Sequence, residues 1–599
     1  MWHFRIMEQG IPERNPRETE FFRVTSPAEA VIREFIQNSL DAKASVKHQF
    51  SIKISFNRAG NELSQFLNDD LKQHLESCGF ISMGVNPGYI PCLVLEDFGT
   101  TGLDGDFTPV SGSGNFYNFW WREGISEKRG GKAGRWGLGK TTFHLVSKIR
   151  TFWGLTVRET DGKALLMGKA LLKNHTLNNQ RYHYFGYFCD DNFMPLENGH
   201  VITQFKKTFG ITRNDSEAGL SLVIPYPVDE IDFDCILKGV ILHYYYPILA
   251  SALKVEIQED SMREEVNVNT LIQKASGINW DDTEWAGVNI REVLEFVKTS
   301  VYEQPVSLQI SDRDNPAITE ESFGGQLQIL RENFRKGIKC KFNVPVTIKS
   351  KNMKQDSFFS VTLARFAELS RPFEGYIRDG ILLPEVRILG NKPVAGMLVA
   401  EDQPVCEFLG DCETPAHTNW NERTEGFNEK YLNAARILRF IKGSLARIVS
   451  SLDEPPHERQ VDFLKEIFSV PIAPGGIEGQ VISQGTGVEK IKKKPSAFNI
   501  QSISGGFVVT LNPKNSNQIF PFDATLRVAY DTRRGNPFAK YRKFDFDLGS
   551  GAINITTAGC NLLGKGNNEI KVNVMGSNFR LEVLGFDPNR DLLVEIIES

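Results

Sequence analysis

The chain has 599 residues, with 69 Lys and Arg against 74 Asp and Glu, and a net charge of −5 at neutral pH. Its 41% hydrophobic and 24% charged residues are globular values, which excludes a disordered, collagen-like or fibrous chain. At roughly 100–200 residues per domain, the length predicts about three to five domains. The slightly acidic balance excludes a generally basic nucleic-acid wrapper while leaving room for a local basic patch.

Eight cysteines are dispersed along the chain without a CxxC pair. That signals neither a zinc ribbon nor a thioredoxin-like site, and it suits a reducing compartment better than a disulfide scaffold. The N-terminus lacks the apolar core of a signal peptide. The most apolar stretch, 235–253, contains Lys238, His243 and Pro247, too polar for a membrane span. These features predict a cytoplasmic protein without a membrane partner.

In chain order, Ser26-Pro27-Ala28-Glu29 predicts a helix start, with Ser26 as cap, Pro27 in the first turn and Glu29 reaching back. The helix continues through AVIREFIQNSLDAKA. A strand follows at 51–56, a polar helix at about 61–78, an apolar strand at 90–95, a Gly-rich region at 99–139 and a short apolar helix at 141–146. Further strands lead to 220–225, and a Tyr-rich helix at about 235–252 closes the segment. Residues 255–300 read as a helical, acidic connection, 304–412 as strand-rich, and 428–452 as an amphipathic helix. Pro, Gly and Lys cluster at 454–495 as a linker. From 496 to 599, short alternating runs predict a small antiparallel β-sandwich.

The sharpest local pattern is Glu34-x-x-x-Asn38-x-x-Asp41-Ala42. Offsets of four and seven fall on one helical face, so Glu34, Asn38 and Asp41 form one polar stripe, while Val31, Ile32, Phe35, Ile36 and Leu40 supply the buried one. A carboxylate and an amide so placed can serve a metal-bound phosphate: Glu34 can take a proton from water, and the Asn38 oxygen can ligate Mg²⁺. The plain alternative is a solvated polar face. After the apolar strand comes Asp97-Phe98-Gly99-Thr100-Thr101-Gly102, which can offer a carboxylate to an exocyclic amine while the backbone turns closely around it. Then come Gly134, Gly137 and Gly139 with Lys140 and Thr141 before a helix, an anion cradle with Lys140 as the candidate phosphate contact.

ExxxNxxDA, DxGxxG and GxxGxG opening a helix, in that order, resemble the GHKL ATPase superfamily, closest in style to its MutL and MORC members. The motifs cover about residues 25–225 and the likeness extends loosely to about 450. The resemblance implies an α+β chain: a Bergerat-type ATPase sandwich of helices on a mixed sheet over 1–255, a β-rich transducer-like domain with a closing helix over 256–453, the linker, and the C-terminal sandwich. It implies ATP and Mg²⁺ as ligands. Glu34 would be the general base, Asn38 the Mg²⁺ ligand, Asp41 (with Ala42) a support for the nucleotide's waters, and Asp97 the acceptor of the adenine amine. Gly99 and Gly102 would shape the base pocket, and Gly134, Gly137, Leu138, Gly139, Lys140 and Thr141 would wrap the phosphates. Ser221, in Gly219-Leu220-Ser221, would stand where the family has Thr beside adenine, or the correspondence slips by one. The insertion at 103–129, with Trp120-Trp121, has no counterpart in that pattern.

Gly134-x-x-x-x-Gly139-Lys140-Thr141 also satisfies the P-loop pattern. That reading needs a strand just before the loop, where the chain is polar and Gly-rich, and it leaves Glu34 and Asp97 unexplained. The transducer of the DNA-processing members offers a lysine to the γ-phosphate. Here Lys349, Lys351 and Lys392 are equal candidates, in a region that includes Tyr376-Ile377-Arg378-Asp379-Gly380-Ile381. His417 reads as a structural residue. Lys490–Lys494 and the Arg331, Arg335, Lys336, Lys339 and Lys341 group can touch phosphates or simply be solvated. The expectation is an ATPase whose nucleotide state drives N-terminal homodimerisation and remodels or gates a protein partner or DNA, by analogy in genome maintenance such as DNA repair, or in antiviral (anti-phage) defence. A scaffold that binds ATP with negligible turnover is the alternative, and a histidine kinase a third, though no histidine-bearing dimerisation helix precedes the box.

Overall fold

A computed structural model describes the chain apart from residues 9, 11–25, 45–49, 61–64, 81–88, 109–111, 123–140, 351–352, 367–371, 391, 415–417, 425, 454–497, 504, 513–519, 531–537, 539–540, 542–544, 587–591 and 599. It is a mixed α+β structure in two compact units, Met1–Ser469 and Val470–Ser599.

The first unit begins with β1 (Trp2–Ile6), α1 (Pro27–Asp41), β2 (Ser51–Ala59), α2 (Asp69–Ser77), β3 (Ile90–Phe98), α3 (Asn115–Trp120), α4 (Thr141–Leu145) and β4 (Thr151–Val157). It continues with β5 (Ala164–Leu171), β6 (His175–Leu177), β7 (Gln180–Phe188), α5 (Gly199–Phe209), β8 (Gly219–Pro225), α6 (Phe233–Leu249), β9 (Lys254–Glu259) and β10 (Met262–Val266). The ten described strands form one sheet, β1-β7-β5-β4-β8-β3-β2-β9-β10, with β6 beside β7. Its neighbours are antiparallel except β2 and β9, which run parallel. The expected helical connection at 255–300 is therefore corrected: β9 and β10 extend the sheet, and helices α7 (Leu271–Ser276) and α8 (Ile290–Ser300) follow only afterwards. Val255 and Ile257, two residues apart on one strand face, drive this by burying completely against the α1 and α6 layer.

Both faces of the sheet are covered, so its central strands are apolar on both sides. Leu93 and Leu95 of β3 join the core under α1 and α6, while Cys92 and Val94 face the core under α2 and α5. This period of two puts Asp97 on the α1 face and Glu96 on the α5 face. Leu103, Phe107, Phe116 and Trp120 belong to the α1-side core: Trp120 stacks on Phe152 at 5.5 Å, over Gly154, where a Cβ would lie 2.9 Å from the Trp120 ring. Pro247 sits inside α6 and Tyr244 leaves helical geometry just before it, the expected cost of a proline ring against the preceding turn. At this kink the Tyr244 hydroxyl donates to Arg33 O of α1 at 2.8 Å.

Under the outer strands, His74 Nδ1 and His175 Nε2 lie 2.6 Å apart, with Phe4 of β1 stacked on His74 at 3.8 Å. Tyr182 packs on both rings and Asp70 lies 3.9 Å from His74 Nε2. Burial, then His175, hold His74 down at about 4, and burial also lowers His175. The unfolded chain therefore takes up protons that the fold refuses. Stability is full above the ordinary value of about 6.5 and is lost as pH falls toward 4. Between pH 7 and 5, His74 alone is expected to remove about 2 kcal/mol, so melting of the wild type should fall more steeply with acid than melting of His74→Gln; parallel curves would refute this.

The rest of the unit comprises β11 (Val306–Ser307), α9 (Leu327–Arg335), β12 (Cys340–Lys349), β13 (Lys354–Arg365), β14 (Phe373–Arg378), β15 (Ile381–Leu382), β16 (Val394–Ala400), α10 (Gln403–Asp411), α11 (Phe427–Lys430) and α12 (Ala434–Leu452). Its described strands form a sheet ordered β11-β12-β13-β16-β14-β15. One face packs with α9, α10 and α12; residues of the other, Phe373, Ile377 and Met397 among them, join the core shared with α6 and α8. The helix expected over 428–452 is broken at Tyr431–Asn433. There Leu432 N–H bonds Lys349 O at 2.8 Å and Asn433 takes a left-handed conformation (φ 56°), so pairing with β12 overrides helical continuity.

The second unit contains two four-stranded described sheets. Strands β17 (Phe498–Ile503), β18 (Gly506–Leu511), β19 (Phe522–Tyr530), β20 (Asn554–Ala558), β21 (Cys560–Gly566), β22 (Glu569–Val574), β23 (Arg580–Leu584) and β24 (Leu592–Glu598) pair as β17-β18-β23-β20 and β21-β22-β19-β24. Val509 and Leu581 of one sheet and Leu526 and Val572 of the other share one core, the antiparallel arrangement that the alternating pattern predicts.

Candidate functional site

The site is built on α1. Ser26 caps it by accepting from Glu29 N–H at 3.3 Å, and Pro27 occupies the first turn, as expected. The Glu29 side chain does not reach back; its carboxylate lies 3.5 Å from Nε2 of His243 on α6. Val31, Ile32, Phe35 and Ile36 are buried, while Glu34, Asn38 and Asp41 are half-buried along one stripe. The Asn38 amide donates to Glu34 Oε1 at 2.6 Å. That bond commits the amide nitrogen to the carboxylate, so the oxygen is the atom that a hard cation would take.

The end of α1 is stitched to the turn after β3. Thr101 N–H bonds Ala42 O at 2.9 Å and Ala44 N–H bonds Gly99 O at 3.0 Å. Gly102 has φ +69°, and a Cβ there would lie 2.3 Å from Val157 O, so the turn closes onto β4 only with glycine. Asp97 is 3% exposed beneath this junction. Its Oδ2 accepts from Ser39 Oγ of α1 at 3.0 Å, and its Oδ1 accepts from Thr100 Oγ1 at 2.8 Å and Leu220 N at 2.6 Å. Burial pushes the Asp97 carboxyl up from its ordinary range, and the Arg213 guanidinium, 3.5 Å from Oδ1, works against that.

On the opposite sheet face, Glu96 accepts from Thr212 N–H and Oγ1, Arg213 N–H and Ser221 Oγ, the last at 3.1 Å. Ser221 is fully buried there and bridges Glu96 and Arg213, because alternation along β8 turns Leu220, not Ser221, toward α1. Among the described residues, the hydroxyls that touch Asp97 are those of Ser39 and Thr100.

The structure thus joins the end of α1 to the Asp97–Gly102 turn through Ser39, Ala42 and Gly99, with Glu34, Asn38 and Asp41 along a half-buried stripe of the same helix. Thr141 opens α4 and is buried. Gly134, Gly137, Leu138, Gly139 and Lys140 lie outside the described residues, as do Lys351, His417 and Lys490–Lys494. Lys349 pairs with Asp314, and Lys392 with Asp453 at 2.7 Å. Arg331 pairs with Glu320 and donates to Ser451 O at 3.0 Å, and Lys341 donates to Ser300 O at 3.0 Å at the end of α8, so part of the basic group serves the fold. Glu96, Thr212 and Arg213 were not legible as site residues. The available signal was a second acid, Glu96, at the end of an apolar strand, which demands buried donors somewhere in the fold.

No cluster of three His, Cys, Asp or Glu side chains that could hold a metal occurs among the described residues, and none of their helices is long and apolar enough to cross a membrane. Comparison with protein-family models finds no match, and no curated protein is significantly similar to the chain.

Proposed function

We propose that the α1–β3 site binds ATP with Mg²⁺ and hydrolyses the γ-phosphate, as in GHKL-type ATPases, and that the nucleotide state is passed to the second sheet of the same unit. The observation that carries this reading is the Ser39–Asp97 hydrogen bond of 3.0 Å on the helix that also holds the Glu34–Asn38 pair. It ties a buried carboxylate suited to an exocyclic amine to a base and an amide suited to the phosphate end. One amide oxygen on a half-buried stripe fits Mg²⁺, which keeps several waters and phosphate oxygens in its octahedron rather than using an all-protein cage. When bound, the ion would offset phosphate charge. Asn38 would hold it, Glu34 would orient the attacking water and accept its proton, and Asp97 would accept from the base.

A hairpin of the second sheet lies against α1. The turn Asp379–Gly380 between β14 and β15 takes φ of 49° and 78°, and a Cβ at Gly380 would meet Leu40 of α1 at 3.8 Å. A change at the end of α1 would therefore be felt by that hairpin, which supports a conformational output, with pairing of two copies, a protein client or DNA as its object.

The test is binding and steady-state hydrolysis of ATP by the full chain. Asp97→Asn, which turns an acceptor oxygen into a donor, should weaken ATP binding by about tenfold or more. Unchanged affinity would remove Asp97 from the site.

A further inference from the structure

Arg213 lies outside every motif of the nucleotide-site pattern, on the loop between α5 and β8, yet it is 2% exposed and reaches through the sheet end to Asp97. All five of its N–H donors have nearby acceptors. Nε donates to Ser221 Oγ at 3.0 Å; Nη1 serves Ala218 O at 2.9 Å and Glu217 O at 3.3 Å; Nη2 serves Leu220 O at 2.9 Å and Asp97 O. The Phe98 ring lies 4.9 Å from its Cζ. Room for the guanidinium exists because residue 219 is glycine at φ +141°: a Cβ would stand 2.3 Å from Arg213 Nη1 and 2.6 Å from Asp97 Oδ1. So complete a fixation of a buried cation gives it one orientation beside one carboxylate oxygen.

Resting on the nucleotide reading above, we infer that Arg213 is a positioning residue that sets base selectivity: through Asp97 it makes the site choose a purine with a 6-amino group over one with a 6-oxo group. The argument has two parts. An ionised carboxylate can only accept, whereas a protonated one can donate to a 6-oxo group, so discrimination requires that a nearly inaccessible Asp97 stay charged. Burial raises the Asp97 carboxyl and Arg213 opposes that; burial likewise lowers the Arg213 guanidinium, and Asp97, Glu96 and Glu217, the acids around it, oppose that. The second part is direction. Thr100, Leu220 N–H and Arg213 occupy the Oδ1 side, while Oδ2 accepts only from Ser39 among the described residues. One acceptor position on Oδ2 is therefore left for an incoming amine.

The experiment compares dissociation constants of ATP and inosine triphosphate, which differ at that group, for the full chain with Mg²⁺. Wild type should prefer ATP by at least about tenfold, one charge-assisted hydrogen bond. Arg213→Met should bring the ratio below about threefold, and Arg213→Lys, which keeps the cation without the fork, should recover part of it. Equal weakening of both nucleotides with the ratio intact would mean a merely structural role and overturn the inference. Should Arg213→Met not fold, Ser221→Ala decides, since it removes the acceptor of Nε and one of the donors to Glu96 while leaving every donor to the Asp97 carboxylate in place: a ratio reduced by about threefold supports the inference and an unchanged ratio overturns it. Equal binding of both nucleotides by wild type sinks the selectivity role but leaves the nucleotide site standing; binding of neither removes both.

Discussion

Replacing Glu34 with alanine is expected to lower ATP turnover by about 10²–10⁴-fold while leaving ATP affinity within about threefold, the pattern of a lost general base. The expectation follows from where the side chain sits. Glu34 is half-buried on α1, with one oxygen already held by the Asn38 amide at 2.6 Å, so it is oriented before any ligand arrives. A base so placed acts on the water in the transition state and contributes little to ground-state binding, so kcat should fall and KM stay. Asn38→Ala should behave differently, weakening binding only when Mg²⁺ is present, because the amide serves the cation. Turnover that survives Glu34→Ala within a factor of about ten would remove Glu34 from the chemistry. Binding without turnover in the wild type would favour the nucleotide-regulated scaffold instead.

The second large effect is on stability. Arg378 and Glu413 are 0% and 1% exposed and face each other, with Arg378 Nη2 donating to Glu413 Oε2 at 3.1 Å and Nε to Oε1. Burial works against the Arg378 charge and Glu413 more than offsets it, so the guanidinium is held above its ordinary value. Asp379 and Asp41 belong to the same field, and burial, opposed by Arg378, raises Asp379. Removing one member of such a pair leaves an uncompensated buried charge, so Arg378→Met or Glu413→Leu should each cost about 3–5 kcal/mol. The double replacement Arg378→Met with Glu413→Leu should recover most of that, since two apolar side chains of similar volume carry no desolvation penalty. Thermal unfolding of the singles and the double checks this. Additive losses in the double would show that each residue acts through other contacts.

Much of the site was legible in the linear pattern because helix and strand periods place side chains without help from the rest of the chain. Offsets of four and seven put Glu34, Asn38 and Asp41 on one stripe, and Ser26 and Pro27 mark where α1 starts. Alternation along 496–599 carried the two small sheets in the same way. Where local pattern and long-range pairing compete, the pattern alone misleads. The acidic stretch after 254 becomes β9 because β2 is there to pair with it, and the helix before α12 breaks because β12 takes Leu432.

Composition class, the polar stripe of α1, the Asp97–Gly102 turn and the order of these pieces are fixed locally, within a few residues, by helical and strand geometry. Which groups meet across long separations is set by how the elements pack. Asp97 and Arg213 are 116 residues apart, and they meet because β8 lies beside β3 and Gly219 leaves room between them. Ser221 faces Glu96 rather than Asp97 for the same reason: the register of two neighbouring strands, not the motif, chooses the face that each side chain occupies.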